Sequence, residues 1–231
     1  MHKLLRLTTI QRRLFSEYGA ERILSEENLS RTVTKFQAMP LIRMQTQNPA
    51  RKAAVLIPLC VVDDKVSLLY TLRASHMRSH KGQVSFPGGM QDTKDLDLQS
   101  TALRETKEEL GIDESRVKIW GIGNAIVARG ETSVLPVIGT INGQLNISTL
   151  PINPDEVEQV FSVPIEELCQ SDKFGYTQFK TGYSTPVYFG GAKRIWGLTA
   201  IITYTFLKCL VPTDMYKHKI RYISPVRKLN M

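Results

Sequence analysis

Apolar positions along the chain change period several times. Residues 53–62, AAVLIPLCVV, form an unbroken apolar run rich in β-branched side chains, and a second such run covers 66–72 after the polar residues Asp63, Asp64 and Lys65. Two runs joined by so short a polar turn predict a β-hairpin. Upstream, Leu29, Val33 and Phe36 recur at i, i+4 and i+7 within residues 25–37, which predicts an amphipathic helix ending before Pro40. A second helix is expected over 98–110, stopped by Gly111. Further strands are expected over 117–128, 134–141, 176–180 and 186–189, and further helices near 165–170 and 197–210. These elements mix without a βαβ rhythm, so the expected fold class is α+β, an α/β/α sandwich with a mixed sheet between helices, and not a doubly wound sheet. The apolar run 195–211 holds Lys208 and three threonines and falls short of the about 18 to 20 apolar residues of a membrane span. A buried helix is expected there.

Composition narrows the picture. The chain has 231 residues, enough for one core with an extra tail, and a net charge of +8. The positive charge sits at the ends: Lys3, Arg6, Arg12 and Arg13 in an acid-free first 16 residues, and five Lys or Arg over 217–231. The middle is nearly neutral, so a nucleic-acid partner is not expected. Residues 1–16, MHKLLRLTTIQRRLFS, set Leu4, Leu7 and Leu14 against Arg6 and Arg13. That is the composition of a mitochondrial transit peptide, and it points to the matrix, the alternative being a basic N-terminal helix; no uninterrupted apolar core follows the charges, as a secretory signal would need. Cys60, Cys169 and Cys209 are far apart and form no C-x-x-C, so ordinary free thiols are expected. His76 and His80 lack a third ligand at suitable spacing and are expected to be loop polar groups, not metal ligands.

The densest chemistry lies in FPGGMQDTKDLDLQSTALRETKEELGI, residues 86–112. At about 100° per residue, Glu105, Glu108 and Glu109 fall within an arc of about 100° on the predicted helix, with Leu103 and Leu110 on the other side. Like charges so placed destabilise a helix unless a cation lies among them. Arg104 and Lys107 alternate with the acids, and the Pro87-Gly88-Gly89 turn upstream lets backbone come close to a ligand. Hard cations such as Mg²⁺ prefer oxygen ligands and keep waters that a phosphate can replace. A metal site is expected here.

Gly89 followed by Arg104-Glu105-Thr106-Lys107-Glu108-Glu109-Leu110-Gly111-Ile112 resembles the Nudix box. That box reads Gly, five residues, Glu, seven residues, then Arg-Glu-U-x-Glu-Glu-x-Gly-U, with U bulky and apolar. Here 14 residues separate Gly89 from Arg104 instead of 13, Asp95 or Asp97 stands for the upstream Glu, and Thr106 occupies the first U. A second signature precedes it. Arg73-Ala74, Arg78, Gly82 and Phe86-Pro87-Gly88-Gly89 match every fixed position of a pattern carried by a subgroup of the Nudix superfamily that hydrolyses coenzyme A. Asn153-Pro154-Asp155-Glu156-Val157 and Trp196-Gly197-Leu198-Thr199-Ala200 extend the likeness, and the leader with the Trp-Gly-Leu-Thr-Ala form is most similar to the mitochondrial members of animals.

The resemblance implies a Nudix fold and metal-dependent hydrolysis of the diphosphate of coenzyme A or its acyl derivatives, giving 3′,5′-ADP and 4′-phosphopantetheine or its acylated form. The alternative is a Nudix pyrophosphatase acting on NADH, ADP-ribose or a nucleoside triphosphate. By the same resemblance Glu105, Glu108 and Glu109 hold Mg²⁺ or Mn²⁺. One of them or Glu156 deprotonates the water, unless Glu156 is only an exposed acid of a turn. Arg104 orients Glu109 or a neighbouring carboxylate. Gly88 and Gly89 let the helix face approach the phosphates, and Arg73, Arg78 or Lys81 meets a substrate phosphate unless they only form loop ion pairs. The implied organisation is a transit peptide over 1–16, a helical extension over 17–51, a Nudix hydrolase domain over 52–211 and a basic tail over 212–231. Partners are a small diphosphate substrate and no nucleic acid; the sequence leaves the oligomeric state open.

Overall fold

The computed structural model describes residues 17–42, 49–77, 80–127, 132–179 and 183–221. The leader 1–16, Arg78 and the end of the basic tail lie outside these residues.

The first hairpin forms as expected. Strand β1 (Arg51–Val62) turns through Asp63 and Asp64, both at positive φ, 47° and 60°, into β2 (Lys65–Arg73). Two consecutive positive-φ residues match the right-handed twist of the flanking strands, and aspartate tolerates that conformation. β1 runs parallel to β7 (Thr132–Gln144), pairing Arg51 with Thr132 through Leu59 with Thr140. Its other edge carries two antiparallel neighbours, β2 beside Leu59–Val62 and β4 (Gly88–Met90) beside Ala53–Val55. A strand flanked on both edges and covered on both faces reads as a continuous apolar run, which is why 53–62 shows no alternation.

The remaining strands are β3 (Val84–Ser85) and β8 (Val157–Pro164) on β2, and β5 (Val117–Ile122) and β6 (Ile126–Val127) on β7, giving a mixed eight-stranded sheet among the described residues. β9 (Phe174–Gln178) and β10 (Ser184–Tyr188) form a separate antiparallel pair. The expected strand over 117–128 is thus interrupted at 123–125, and the expected helix near 165–170 stops earlier, as a four-residue turn at Ile165–Leu168. β8 is absent from the sequence-based expectation. Its Val157, Phe161 and Val163 are buried, but the polar Glu158, Gln159 and Ser162 dilute the apolar signal.

Helices cover both faces of the sheet. After a short turn α1 (Ala20–Ile23), helix α2 (Glu26–Gln37) begins at Ser25, whose side chain accepts the Asn28 N–H, and lays Leu29 and Phe36 on the sheet. The Phe36 ring meets Phe206 of the last helix edge-on, 5.9 Å between centroids. That helix, here α4 (Gly197–Leu210), is the apolar run 195–211, and no helix of the described residues is long and apolar enough to cross a membrane. Its threonines find partners: Thr199 donates to the Val84 carbonyl at 2.9 Å, and Thr203 pairs with the Tyr70 hydroxyl at 3.1 Å. Tyr70 in turn stacks on Phe86 and Phe161. Each such fully buried side chain contributes about 1.5–3 kcal/mol.

The opposite face is covered by α3 (Leu98–Leu110), whose Ala102 packs on Ala54, Leu56 and Val137. The segments before and after the sheet in the chain share one apolar cluster with it, Ile23 and Leu29 from the first and Tyr216 from the second. Tyr216 and Tyr188 join hydroxyls, and His218 stacks on Phe174 at 4.1 Å. Cys60, Cys169 and Cys209 are free, and burial pushes the Cys60 thiol up to about 12.

Candidate active site

Two caps fix the acidic helix. Asp97 stands just before it in extended backbone and accepts the Ser100 N–H at 2.7 Å; Gly111 closes it at φ 64°, donating to the Lys107 carbonyl at 2.8 Å. A side chain at Gly111 would also strike Pro151. Thr106, at a position where the Nudix box has a bulky apolar residue, is buried and returns its hydroxyl to the Ala102 carbonyl at 2.6 Å.

The three glutamates do not share one environment. The helix buries Thr101, Ala102, Thr106, Glu109 and Leu110, so Glu109 lies on the core side of the acidic arc, 1% exposed. The Glu108 side chain is half exposed and Glu105 lies between the two. The third close partner comes from elsewhere: ligand oxygens of Glu105, Glu109 and Glu156 lie within 4.8 Å of one another. Glu156 is delivered by a turn tied to both neighbours. Asn153 N–H donates to the Glu109 carbonyl at 3.0 Å, Glu156 N–H to the Asn153 carbonyl at 3.1 Å, and Ala74 N–H to the Glu156 carbonyl at 2.9 Å. Its side chain is therefore half-buried in the acid cluster.

The Pro-Gly-Gly turn is built around these acids. Leu56 N–H donates to the Pro87 carbonyl at 2.9 Å, and Gly88 and Gly89 pair with Val55 and Ala54. Gly88 adopts φ 150°, where a Cβ would lie 2.3 Å from the Ala54 carbonyl oxygen. Its N–H donates to Glu109 Oε2 at 3.3 Å.

Arg104 is saturated with partners. Nε and Nη2 grip Asp95 at 2.8 and 3.0 Å, Nη1 donates to Glu105 and Glu108 at 2.9 Å each, and Nη2 also reaches the Met90 carbonyl at 3.0 Å. Arg104 thus orients Glu105 and Glu108 and does not touch Glu109. This separates the two upstream aspartates, which the sequence left as alternatives: Asp95 holds Arg104 and Asp97 caps the helix. Hydrogen bonds from Arg104 hold the Asp95 carboxyl well below the usual carboxylate range. Arg73 reaches the cluster from β2, with Nη1 3.5 Å from Glu109 Oε1. Lys81 is exposed and forms no ion pair among the described residues. His80 faces Gln83 at 3.1 Å, away from the acids.

Burial dominates the electrostatics of the cluster. It pushes the Glu109 carboxyl up to about 8, Arg73 opposing and Glu105 adding to the shift, with the Gly88 N–H opposing and Glu156 adding. Glu105 is raised as well, chiefly by burial, against the pull of Arg104. Clustered, desolvated carboxylates with too few cations to neutralise them form the environment that an oxygen-preferring divalent cation completes. Glu105, Glu109 and Glu156 fit such an ion. A cavity of about 430 Å³ lies instead between β10 and α4, against Ile42, Tyr183, Pro186, Ile201, Tyr204 and Ile220. It contains none of the acids. Charge and ligand geometry, not cavity size, locate the chemistry here.

Comparison with known proteins agrees with this geometry. The NUDIX domain pattern matches residues 50–181. The chain is 41% identical over 189 residues to the mouse protein named mitochondrial coenzyme A diphosphatase NUDT8, covering 80% of this chain and 85% of that one. To the human protein of the same name it is 44% identical over 165 residues, 69% of this chain and 70% of the relative. Nudix hydrolase 3 of Caenorhabditis elegans is 35% identical over 232 residues, 93% of each chain.

Proposed function

This chain belongs to the Nudix family, and on that premise we propose that it hydrolyses the diphosphate of coenzyme A or an acyl derivative to 3′,5′-ADP and 4′-phosphopantetheine or its acylated form. The observation that carries the proposal is the meeting of Glu105, Glu109 and Glu156 beside the Pro-Gly-Gly turn, in a chain whose mouse and human relatives are named for this activity.

Glu105, Glu109 and Glu156 would hold Mg²⁺ or Mn²⁺, with Glu108 at the rim through its shared Arg104. A bound divalent cation supplies charge neutralisation for the anionic diphosphate and for the charge that builds in its transition state. The protein's own groups do the rest. Arg104 fixes the Glu105 and Glu108 carboxylates against mutual repulsion. Gly88 and Gly89 bring backbone close enough for the diphosphate to reach the acids, and Arg73 presents a guanidinium at the same place. Glu156, half-buried and outside the helix, would take the proton of the attacking water. That water adds across one P–O bond of the diphosphate: its oxygen joins one phosphorus and the bridging oxygen leaves with the other. Arg78 and Lys81 belong to the signature loop and are assigned to the substrate's outer phosphate.

Mitochondrial location is supported by the acid-free leader and by the names of the mouse and human relatives. Confinement of the excess positive charge to the ends supports a small-molecule substrate over a nucleic acid. The transit peptide, helical extension, hydrolase domain and tail remain the proposed divisions of the chain.

The test is mass-spectrometric product analysis of residues 17–231 with Mg²⁺ or Mn²⁺ and a panel of coenzyme A, NADH, ADP-ribose and dGTP. Fastest release of 4′-phosphopantetheine is expected. Faster cleavage of another member would overturn the coenzyme A assignment and keep the acid site.

A further inference from the structure

Arg73 is the cation of this site whose partners do not account for it. Its backbone is fixed on every side: N–H to the Gln83 carbonyl at 3.0 Å, carbonyl from Gly82 N–H at 3.1 Å, and the next N–H to Glu156. The pairing of β2 with β8 slips at this residue, Leu72 facing Gln159 and Arg73 facing Val157. A bulge of this kind re-aims a side chain, and here it aims at Glu109. The side chain itself is poorly satisfied. Its contact with Glu109 is 3.5 Å, longer than a charge-assisted hydrogen bond, and its Nε is buried with no acceptor. Arg104, on the other side of the same acids, engages every nitrogen. A buried, unpaired donor in an otherwise well-bonded site demands an explanation.

Resting on the reading of the acids as a divalent-cation site, we propose that Arg73 stands in for the metal: it holds to Glu109 while the ion is away, competes with the ion for that carboxylate, and is freed by the ion to face an anionic oxygen of the substrate. The loose contact suits an exchangeable partner, and the idle Nε–H is the donor that the second position would use. Glu105 and Glu156 belong to the same group of acids as Glu109, and the ion would neutralise all three together. Metal loading and presentation of the guanidinium thus become one event, which would favour metal before substrate.

The test measures Mn²⁺ binding to the full chain by the paramagnetic resonance of the free ion, without substrate, for wild type, Arg73→Gln and Arg73→Lys. Removing a cation about one residue-contact away from a divalent ion should tighten binding on the order of tenfold even in a water-like dielectric. Arg73→Gln is expected to show that gain and Arg73→Lys to stay near wild type. Damage to the fold weakens binding, so a gain does not arise from it. Unchanged or weaker binding in a folded Arg73→Gln chain overturns the proposal while leaving the metal site standing; a wild type that binds no Mn²⁺ overturns both. If Arg73→Gln does not fold, the wild type labelled with ¹⁵N at arginine Nε decides: the resonance missing from Arg73→Lys should move on addition of Mg²⁺, and a stationary resonance overturns the proposal.

Discussion

Gly89 and Glu105 are in such close approach that a Cβ on the glycine would lie 2.5 Å from the carboxylate carbon and from both of its oxygens. The obstruction would be the mobile end of a side chain. Gly89→Ala should therefore fold with a stability within about 1 kcal/mol of wild type, while Glu105 is pushed from its place. A displacement of about 1 Å at a reacting site costs up to about 100-fold in rate. Thermal unfolding and kcat measured on the same preparation check the separation.

Gly88→Ala should behave oppositely. Its Cβ would meet backbone, the Ala54 carbonyl oxygen at 2.3 Å and Val55 Cα at 2.6 Å, at a φ of 150° that side-chain-bearing residues rarely adopt. Strand β4 would have to leave β1. A loss of about 3 kcal/mol or more is expected, visible as a lower denaturant midpoint. An alanine tolerated at Gly88 but not at Gly89 would contradict the geometry of the turn.

Glu109 predicts a pH dependence of stability. In the metal-free chain its carboxyl is raised from 4.5 to about 8, so between these values the folded state holds a proton that the unfolded state has lost. Unfolding free energy from this group therefore falls as pH rises through that window, by on the order of a few kcal/mol in total. Glu109→Gln should flatten the dependence and leave the metal-free protein at least as stable at pH 8. With saturating Mg²⁺ the wild-type trend should weaken or reverse, because the ion binds only the deprotonated group. Urea titrations from pH 5 to 8, with and without Mg²⁺, measure all three.

Asp95 is expected to matter for activity through Arg104. The aspartate side chain is 4% exposed and grips Nε and Nη2 of Arg104, whose Nη1 holds Glu105 and Glu108. Asp95→Asn should lower kcat roughly 10- to 100-fold, with a smaller change in KM, since it loosens the holder of the acids and not a substrate contact. Arg104→Lys should resemble it, because an ammonium does not reproduce the fork. The depressed Asp95 value also contributes stability present above pH 3.8 and lost as pH falls through its folded-state value. Acid unfolding of Asp95→Asn should lack that component.

Much of this site is legible in the sequence because it is local. The helix Leu98–Leu110, its Gly111 stop and the first hairpin follow from periodicity and turn chemistry over neighbouring residues. What the sequence conceals is which face of the acidic helix is buried. An arc of three glutamates looks solvent-facing, yet Ala102, Thr106 and Glu109 are the side that meets the sheet, because small residues there let the helix approach β1 and β4. The partner from outside the helix is equally hidden: Glu156 joins the cluster only through the turn at Asn153 and the pairing of β8 with β2, a strand whose apolar alternation is diluted by polar side chains. Asp95 could have been read by asking which acid is free to pair with Arg104 once Asp97 is spent as the cap.

The four glutamates should rank by where they sit. Glu105, Glu109 and Glu156 converge to within 4.8 Å, so replacing any one by Gln removes a ligand from the group. Glu108 is on the same helix, but its side chain is half exposed and its contact is Arg104 Nη1 at 2.9 Å. Water and Arg104 already compensate its charge, and an exposed i, i+4 pair contributes about 0.5 kcal/mol. Glu108→Gln should therefore weaken Mn²⁺ binding by less than about tenfold, where Glu105→Gln, Glu109→Gln and Glu156→Gln each cost about 100-fold or more, several times 1.4 kcal/mol per decade being typical for a buried charged ligand. Calorimetric Mn²⁺ titration of the four variants gives the order directly. If Glu108→Gln proves as damaging as Glu109→Gln while Glu156→Gln is mild, the ion is held along the helix alone, and the turn at Asn153 serves only to position substrate or water.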